Sequence, residues 1–212
     1  YEANDLFLTN QEVDEYLRGV DMSFFKPNKD WQRGDLKYID SNGDGKIDPG
    51  SGTLKDHGDL KIIGNTTPRY SFGLNLHAGY KGFEVSALFQ GVMKRDFPMA
   101  ASTYLFSGDS NFFKEHLDYY NVYNPGAYLP RLTKPDSPEY NANVGYNTSR
   151  YLLNAAYMRL KNLMISYNFQ PKLVKKMGLE NLKVYFTCDN LFTIDNLQDV
   201  LDPGTLNQVK TW

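Results

Sequence analysis

The chain has 212 residues and a formal net charge of -2, and it is 41% hydrophobic and 15% aromatic, with 16 tyrosines and 13 phenylalanines. No stretch approaches the roughly 18 to 20 consecutive apolar residues that a membrane-spanning helix requires. Its charges are scattered, with no basic face of the kind that tracks a nucleic-acid backbone, so a helical membrane protein is excluded and nucleic acid is not an expected partner.

The first residues, Tyr1 to Asn4, carry neither a basic nor an apolar leader pattern, and no secretory signal is expected there. Thr9 and Glu12 form a capping box, Val13, Tyr16 and Leu17 supply an apolar stripe, and Gly19 stands where a helix would stop. These signals predict a short helix over Asn10 to Arg18. The stretch Leu36 to Ile39 reads as extended and leads into an Asp-rich loop, Asp40 to Asp48.

Beyond this loop the dominant period is two. Tyr70, Phe72, Leu74, Leu76, Ala78 and Tyr80 alternate with small or polar residues, which predicts a strand that is apolar along one whole face. Lys81-Gly82 reads as a two-residue turn, and Phe83, Val85, Ala87 and Phe89 continue the alternation in a second arm. A third strand is expected from Tyr157 to Phe169, with Leu163, Ile165, Tyr167 and Phe169 on one face and Arg159 and Lys161 continuing that face's register. Pro171 and Gly178 bound a second short helix, Lys172 to Met177. The fourth strand, Leu182 to Asp189, sets Leu182, Val184, Phe186 and Cys188 against polar neighbours. Cys188, the single cysteine, is expected to act as a small apolar side chain.

Such alternation fits either a soluble sandwich or a membrane barrel. Strand lengths near the 9 to 11 residues that cross a bilayer, and connections that alternate between short and very long, favour the barrel.

Ordered motifs sharpen the choice. Gly34-Asp35-Leu36-Lys37-Tyr38-Ile39-Asp40 is followed by Ser41-Asn42-Gly43-Asp44-Gly45-Lys46-Ile47-Asp48, then Ile62-Ile63-Gly64-Asn65 with Pro68, and Tyr80-Lys81-Gly82-Phe83. Tyr128-Leu129-Pro130-Arg131-Leu132, Ser149-Arg150-Tyr151-Leu152, Tyr157-Met158-Arg159-Leu160-Lys161-Asn162, Asn190-Leu191-Phe192-Thr193 and Asp202-Pro203 complete the series. In this order, from about Leu6 to about Pro203, the chain resembles the C-terminal region of the SusC/RagA class of TonB-dependent outer-membrane transporters.

The resemblance implies an all-β fold: the C-terminal strands of a larger antiparallel transmembrane β-barrel, with long extracellular loops and short helices. Residues 1–212 would form the C-terminal portion of one barrel domain, without its plug domain or final closing strand. It further implies residence in the outer membrane of a Gram-negative bacterium and TonB-dependent import of an oligosaccharide or peptide. The implied partners are TonB through the upstream region, a SusD-like surface lipoprotein as lid, and outer-membrane lipid. Two features depart from the family pattern. Thr205 to Trp212 lacks the alternation of a closing strand, and Pro49 to Gly58 looks like an insertion.

The Asp-rich loop proposes coordination chemistry of its own. Asp40, Asn42 and Asp44 occupy positions 1, 3 and 5 of a calcium loop, Gly45 allows the sharp turn at 6, Lys46 offers its carbonyl at 7, and Asp48 stands at 9. Ser51 stands where a bidentate Glu is usual, and Asp56 or Asp59 is the replacement if the insertion folds back. Calcium here would be structural. The competing reading is a solvated turn that uses Asn-Gly and Asp-Gly for their backbone freedom.

No catalytic motif is present: His57, His77 and His116 are dispersed, and an enzyme is not expected. The aromatic stretch between Arg95 and Asn154, including Tyr104, Phe106, Phe112, Phe113, Tyr119, Tyr120, Tyr123, Tyr128, Tyr140 and Tyr146, is the candidate for substrate contact. The alternative is that it packs on itself or on the lid. A soluble calcium-stabilised β-domain that binds glycans is the competing function.

Overall fold

The computed structural model describes residues 1–99, 114–197 and 201–206, which form two compact units. Of the described residues, one unit contains 1–65, 97–99 and 114–153, and the other 66–96, 154–197 and 201–206. The strands are β1 (Ala3–Leu6), β2 (Leu36–Tyr38), β3 (Arg69–Tyr80), β4 (Phe83–Lys94), β5 (Asp96–Pro98), β6 (Tyr119–Tyr120), β7 (Leu129–Arg131), β8 (Leu152–Asn154), β9 (Tyr157–Asn168) and β10 (Lys183–Asp195). The helices are α1 (Asn10–Leu17), α2 (Pro138–Val144) and α3 (Pro171–Lys176). The described residues are thus mostly β with a few short helices; β1–β2 and the sheet of β3, β4, β9 and β10 are antiparallel, and the short pair β6–β7 is parallel.

The first unit is built around aromatic side chains. β1 pairs with β2, and α1 starts where expected: Thr9 Oγ1 accepts the Glu12 amide at 3.1 Å, while the Glu12 carboxylate reaches back to the Leu8 amide at 2.9 Å. Phe25 stacks on Tyr38 at 4.1 Å, Tyr1 and Trp31 meet Tyr38 edge-on, and the Tyr38 hydroxyl donates to the Ala142 carbonyl at 2.6 Å. The helix α2 is an addition to the expected elements. Its local signal is Ser137-Pro138, a cap whose Oγ accepts the Tyr140 amide at 3.1 Å, followed by proline in the first turn.

The second unit is a four-stranded sheet in the order β10-β9-β4-β3. Its strands have 12, 12, 12 and 13 residues, enough to cross a bilayer when tilted. At the β3–β4 turn Lys81 and Gly82 have φ of 48° and 90°, the pair of positive values that a two-residue hairpin turn of this type needs. Gly91 has a different reason to be glycine: a Cβ there would lie 2.3 Å from the Tyr157 carbonyl oxygen and 2.8 Å from the Phe72 ring.

Register corrects one expectation. Leu160 stands opposite Phe89 and Phe192, and Arg159 opposite Gln90 and Thr193, because β9 makes a bulge at Lys161. The extra residue moves Arg159 off the apolar face that the alternation had assigned to it. Its guanidinium donates instead to Thr193 Oγ1 at 2.7 Å and bonds Asp202, while Lys161 donates to the Asn190 side chain at 3.0 Å.

The helix α3 closes as its glycine predicts. The Leu179 amide bonds the Val174 carbonyl at 3.2 Å and the Gly178 amide bonds that of Lys175 at 3.1 Å, with Gly178 at φ 74°.

Candidate functional site

The two faces of the four-stranded sheet are chemically opposite. On one face the register aligns five rows of four residues: Tyr80, Phe83, Tyr167, Val184; Ala78, Val85, Ile165, Phe186; Leu76, Ala87, Leu163, Cys188; Leu74, Phe89, Leu160, Phe192; and Phe72, Gly91, Met158, Ile194. None of these side chains is charged. Five rows two residues apart span about 27 Å along the strands, which a tilt of about 40° reduces to a height of about 21 Å, most of the roughly 25 Å apolar band of outer-membrane barrels. Many of these residues are open to their surroundings, with Leu76 50%, Phe186 63% and Tyr80 71% exposed.

The opposite face is polar and internally bonded. The Glu84 carboxylate accepts from Lys183 at 2.7 Å, Asn168 at 3.1 Å and Ser166 at 3.2 Å. Further along, Asn162 donates to Asp189 at 2.8 Å and to Thr187 at 3.2 Å. A hollow of about 500 Å³ lies at the far end, lined by residues that include Ser71, Gly73, Gln90 and Tyr157. His77 lies on this face, in register with Ser86.

In the Asp-rich loop each acidic side chain is held by loop amides. Asp40 accepts the Gly43 and Gly45 amides at 2.6 and 2.8 Å, Asn42 accepts that of Asp44, Asp44 accepts that of Lys46, and Asp48 accepts that of Gly50. The insertion does fold back: the buried Asp59 carboxylate accepts the Ser41 amide at 2.7 Å and the Asp48 amide at 3.0 Å, joining the two ends of the loop. Asp56 is engaged elsewhere, with the Ser51 amide. The loop docks through Ile47, buried in the core, whose amide bonds the Asp21 carbonyl at 2.9 Å. These donors are hard oxygens of the kind calcium takes. Among the described residues, however, no three His, Cys, Asp or Glu side chains converge as metal ligands.

Most of the described loop aromatics turn out to be packing groups. Tyr120 and Tyr140 are buried, Tyr119, Tyr128 and Tyr146 are partly buried, and the Tyr120 hydroxyl donates to the Leu8 carbonyl at 2.9 Å. Tyr123, by contrast, is 95% exposed. Tyr104, Phe106, Phe112 and Phe113 lie outside the described residues, as do residues 207–212 of the stretch Thr205 to Trp212, where no closing strand is expected.

Sequence reasoning missed a heavily bonded group of the first unit, Asp35. Its buried carboxylate accepts from Lys26 at 2.6 Å, Arg131 at 2.6 Å, Asn143 at 2.8 Å and the Gln32 amide at 2.9 Å. Burial lowers the Lys26 ammonium's pKa, and Asp35 opposes that shift. Nothing local marks Asp35, because two of its partners lie about a hundred residues away.

No family model matches the sequence. The chain is 30% identical over 156 residues to TonB-dependent receptor P3 of Formosa agariphila, which covers 74% of the chain and 14% of that receptor. It is 28% identical over 210 residues to TonB-dependent receptor P39 of the same organism, covering 93% of the chain and 18% of the receptor. A solved structure of the RagAB peptide importer in its open-open state aligns over 68% of the chain and 15% of its own, at 22% identity and a TM-score of 0.49. The chain therefore spans less than a fifth of the length of the relatives it matches. Those relatives are receptors, in agreement with the expectation that the chain is no part of an enzyme. By sequence, and as the order of its motifs implied, this chain is a relative of the TonB-dependent receptors over a limited part of their length.

Proposed function

We propose that the chain is part of a SusC/RagA-class importer in the outer membrane of a Gram-negative bacterium, supplying four adjacent strands of a transmembrane β-barrel. In this reading residues 1–212 belong to the C-terminal portion of one barrel domain, while the plug and closing strand belong to the rest of a longer polypeptide. TonB drives uptake of an oligosaccharide or peptide, and a SusD-like lipoprotein forms the lid. The observation that carries the reading is the exposed sheet face with five apolar rows. A soluble sandwich would bury that face in a core, whereas a barrel leaves it for lipid.

The test is growth of the encoding bacterium on oligosaccharide mixtures or peptide digests as sole nutrient. Deleting the gene is expected to abolish growth on one of these nutrients, and the full-length gene to restore it, with the protein in the outer-membrane fraction beside a co-purifying lipoprotein. A protein found in the soluble fraction would overturn the proposal.

The Asp-rich loop is proposed to carry a structural calcium ion. Asp40, Asn42, Asp44 and Asp48 would supply side-chain oxygens and Lys46 its carbonyl, with Asp59 closing the loop. The supporting observation is the Gly45 amide bonded to Asp40 across a turn at φ 79°, the tight geometry that the sixth position needs. Calcium would cross-link the loop through several oxygens at once. Titrating the full-length protein in detergent with terbium is expected to give one luminescent site that calcium displaces and Asp40→Ala removes. Absence of a saturable signal at millimolar ion would sink the idea.

A further inference from the structure

We infer that α3 and the turn after it form an interfacial anchor that rests on a phospholipid leaflet, with apolar side chains in the acyl boundary and lysines on anionic headgroups. The inference rests on the barrel reading above, and deepens it by naming what one end of the sheet touches.

The sequence Pro171-Lys-Leu-Val-Lys-Lys-Met-Gly-Leu179 makes a helix too short to be stable by itself. Val174 is its buried side chain, 1% exposed, and the bonds at Gly178 and Leu179 stop the helix. What remains outside is unusual for a soluble connection. Leu173 is 53% exposed, Met177 67% and Leu179 45%, and Leu173 and Met177 lie one helical turn apart on a common side. Water gains nothing from three large apolar groups held out in so short a segment, whereas a membrane boundary accepts them.

Continuity gives the occupant. Phe169, 36% exposed, stands two residues before the helix and meets the Tyr167 ring at 4.9 Å, and Tyr167 belongs to the first of the five apolar rows. The apolar face therefore runs along the chain into the α3 segment. Charge gives the headgroup. Residues 79–84 and 169–183 carry five lysines against two glutamates. Lys183 is neutralised by Glu84 at 2.7 Å, which leaves Lys81, Lys172, Lys175 and Lys176 facing the single acid Glu180. Lysines flanking exposed apolar residues match an anionic lipid surface.

The test uses the full-length polypeptide with Cys188→Ala, reconstituted in phosphatidylethanolamine vesicles with or without phosphatidylglycerol. Nitroxide labels go at Leu173→Cys and Met177→Cys, with Leu76→Cys as the sheet-face reference. Expected is several-fold protection of all three labels from a water-soluble nickel chelate relative to oxygen. The two helix labels should sit at shallow depth and move outward when phosphatidylglycerol is omitted or when Lys172, Lys175 and Lys176 are changed to Gln. If both helix labels are open to nickel while Leu76 is protected, the anchor is wrong and the barrel stands. If Leu76 is open as well, the barrel reading fails. Helix labels that ignore phosphatidylglycerol and the lysine changes overturn the headgroup contact.

Discussion

Asp35→Ala is expected to destabilise the first unit by about 3–5 kcal/mol, the usual cost of removing one partner from a buried ion pair. The Lys26 and Asp35 side chains are both fully buried, and Lys26 sits 4.2 Å from the Trp31 ring centre, so the ammonium has no water to turn to once its carboxylate is gone. Asp35 also joins distant pieces of chain. Arg131 brings β7 to it and Asn143 brings α2, while the Asn143 side-chain oxygen Oδ1 accepts the Leu36 amide at 2.7 Å. Lys26→Met should cost less, because Asp35 then keeps Arg131, Asn143 and the Gln32 amide. Hydrogen exchange on the full-length protein should show the order: large loss of protection across β2, β7 and α2 in Asp35→Ala, and a smaller loss in Lys26→Met. Equal protection in wild type and Asp35→Ala would show that the cluster contributes nothing to holding these segments together.

The difference between what the sequence makes legible and what it hides follows from the range of each signal. The strands β3, β4, β9 and β10 are readable because alternation is local and each strand carries it alone, and α1 and α3 are readable from Thr9, Glu12, Pro171 and Gly178. The bulge at Lys161 is not, since an extra residue in β9 reveals itself only against partners in β4 and β10. The loop aromatics illustrate a different limit. Composition favours tyrosines for substrate contact as readily as for a core, and the decision rests on long-range packing such as Tyr120 against the backbone of Leu8. Asp59 lies between these cases: its return to the loop is foreseeable as an option, yet it depends on how Pro49 to Gly58 turns, which three positive-φ glycines in that stretch set.

Leu76→Arg and Asn75→Arg are neighbours in β3 whose effects should differ sharply if the sheet lies in a membrane. Leu76 stands in the middle of the five apolar rows, and Asn75 points to the polar face in register with Leu88. An arginine on the lipid face near the bilayer midplane costs roughly 2–4 kcal/mol, because hydrocarbon offers its charge neither water nor a partner. The same residue on the lumen face stays hydrated, and an effect within about 0.5 kcal/mol is expected, as for surface substitutions generally. Exposure alone does not separate the two sites: Leu76 is already 50% exposed and Asn75 is exposed as well. In a soluble protein both changes would be mild, so the contrast reports the solvent that each face meets rather than the packing of the chain. Folding the full-length protein into vesicles across a urea series measures it directly. A selective loss in Leu76→Arg supports lipid on the apolar face, and matching stabilities for the two variants would remove the membrane from the account of this sheet.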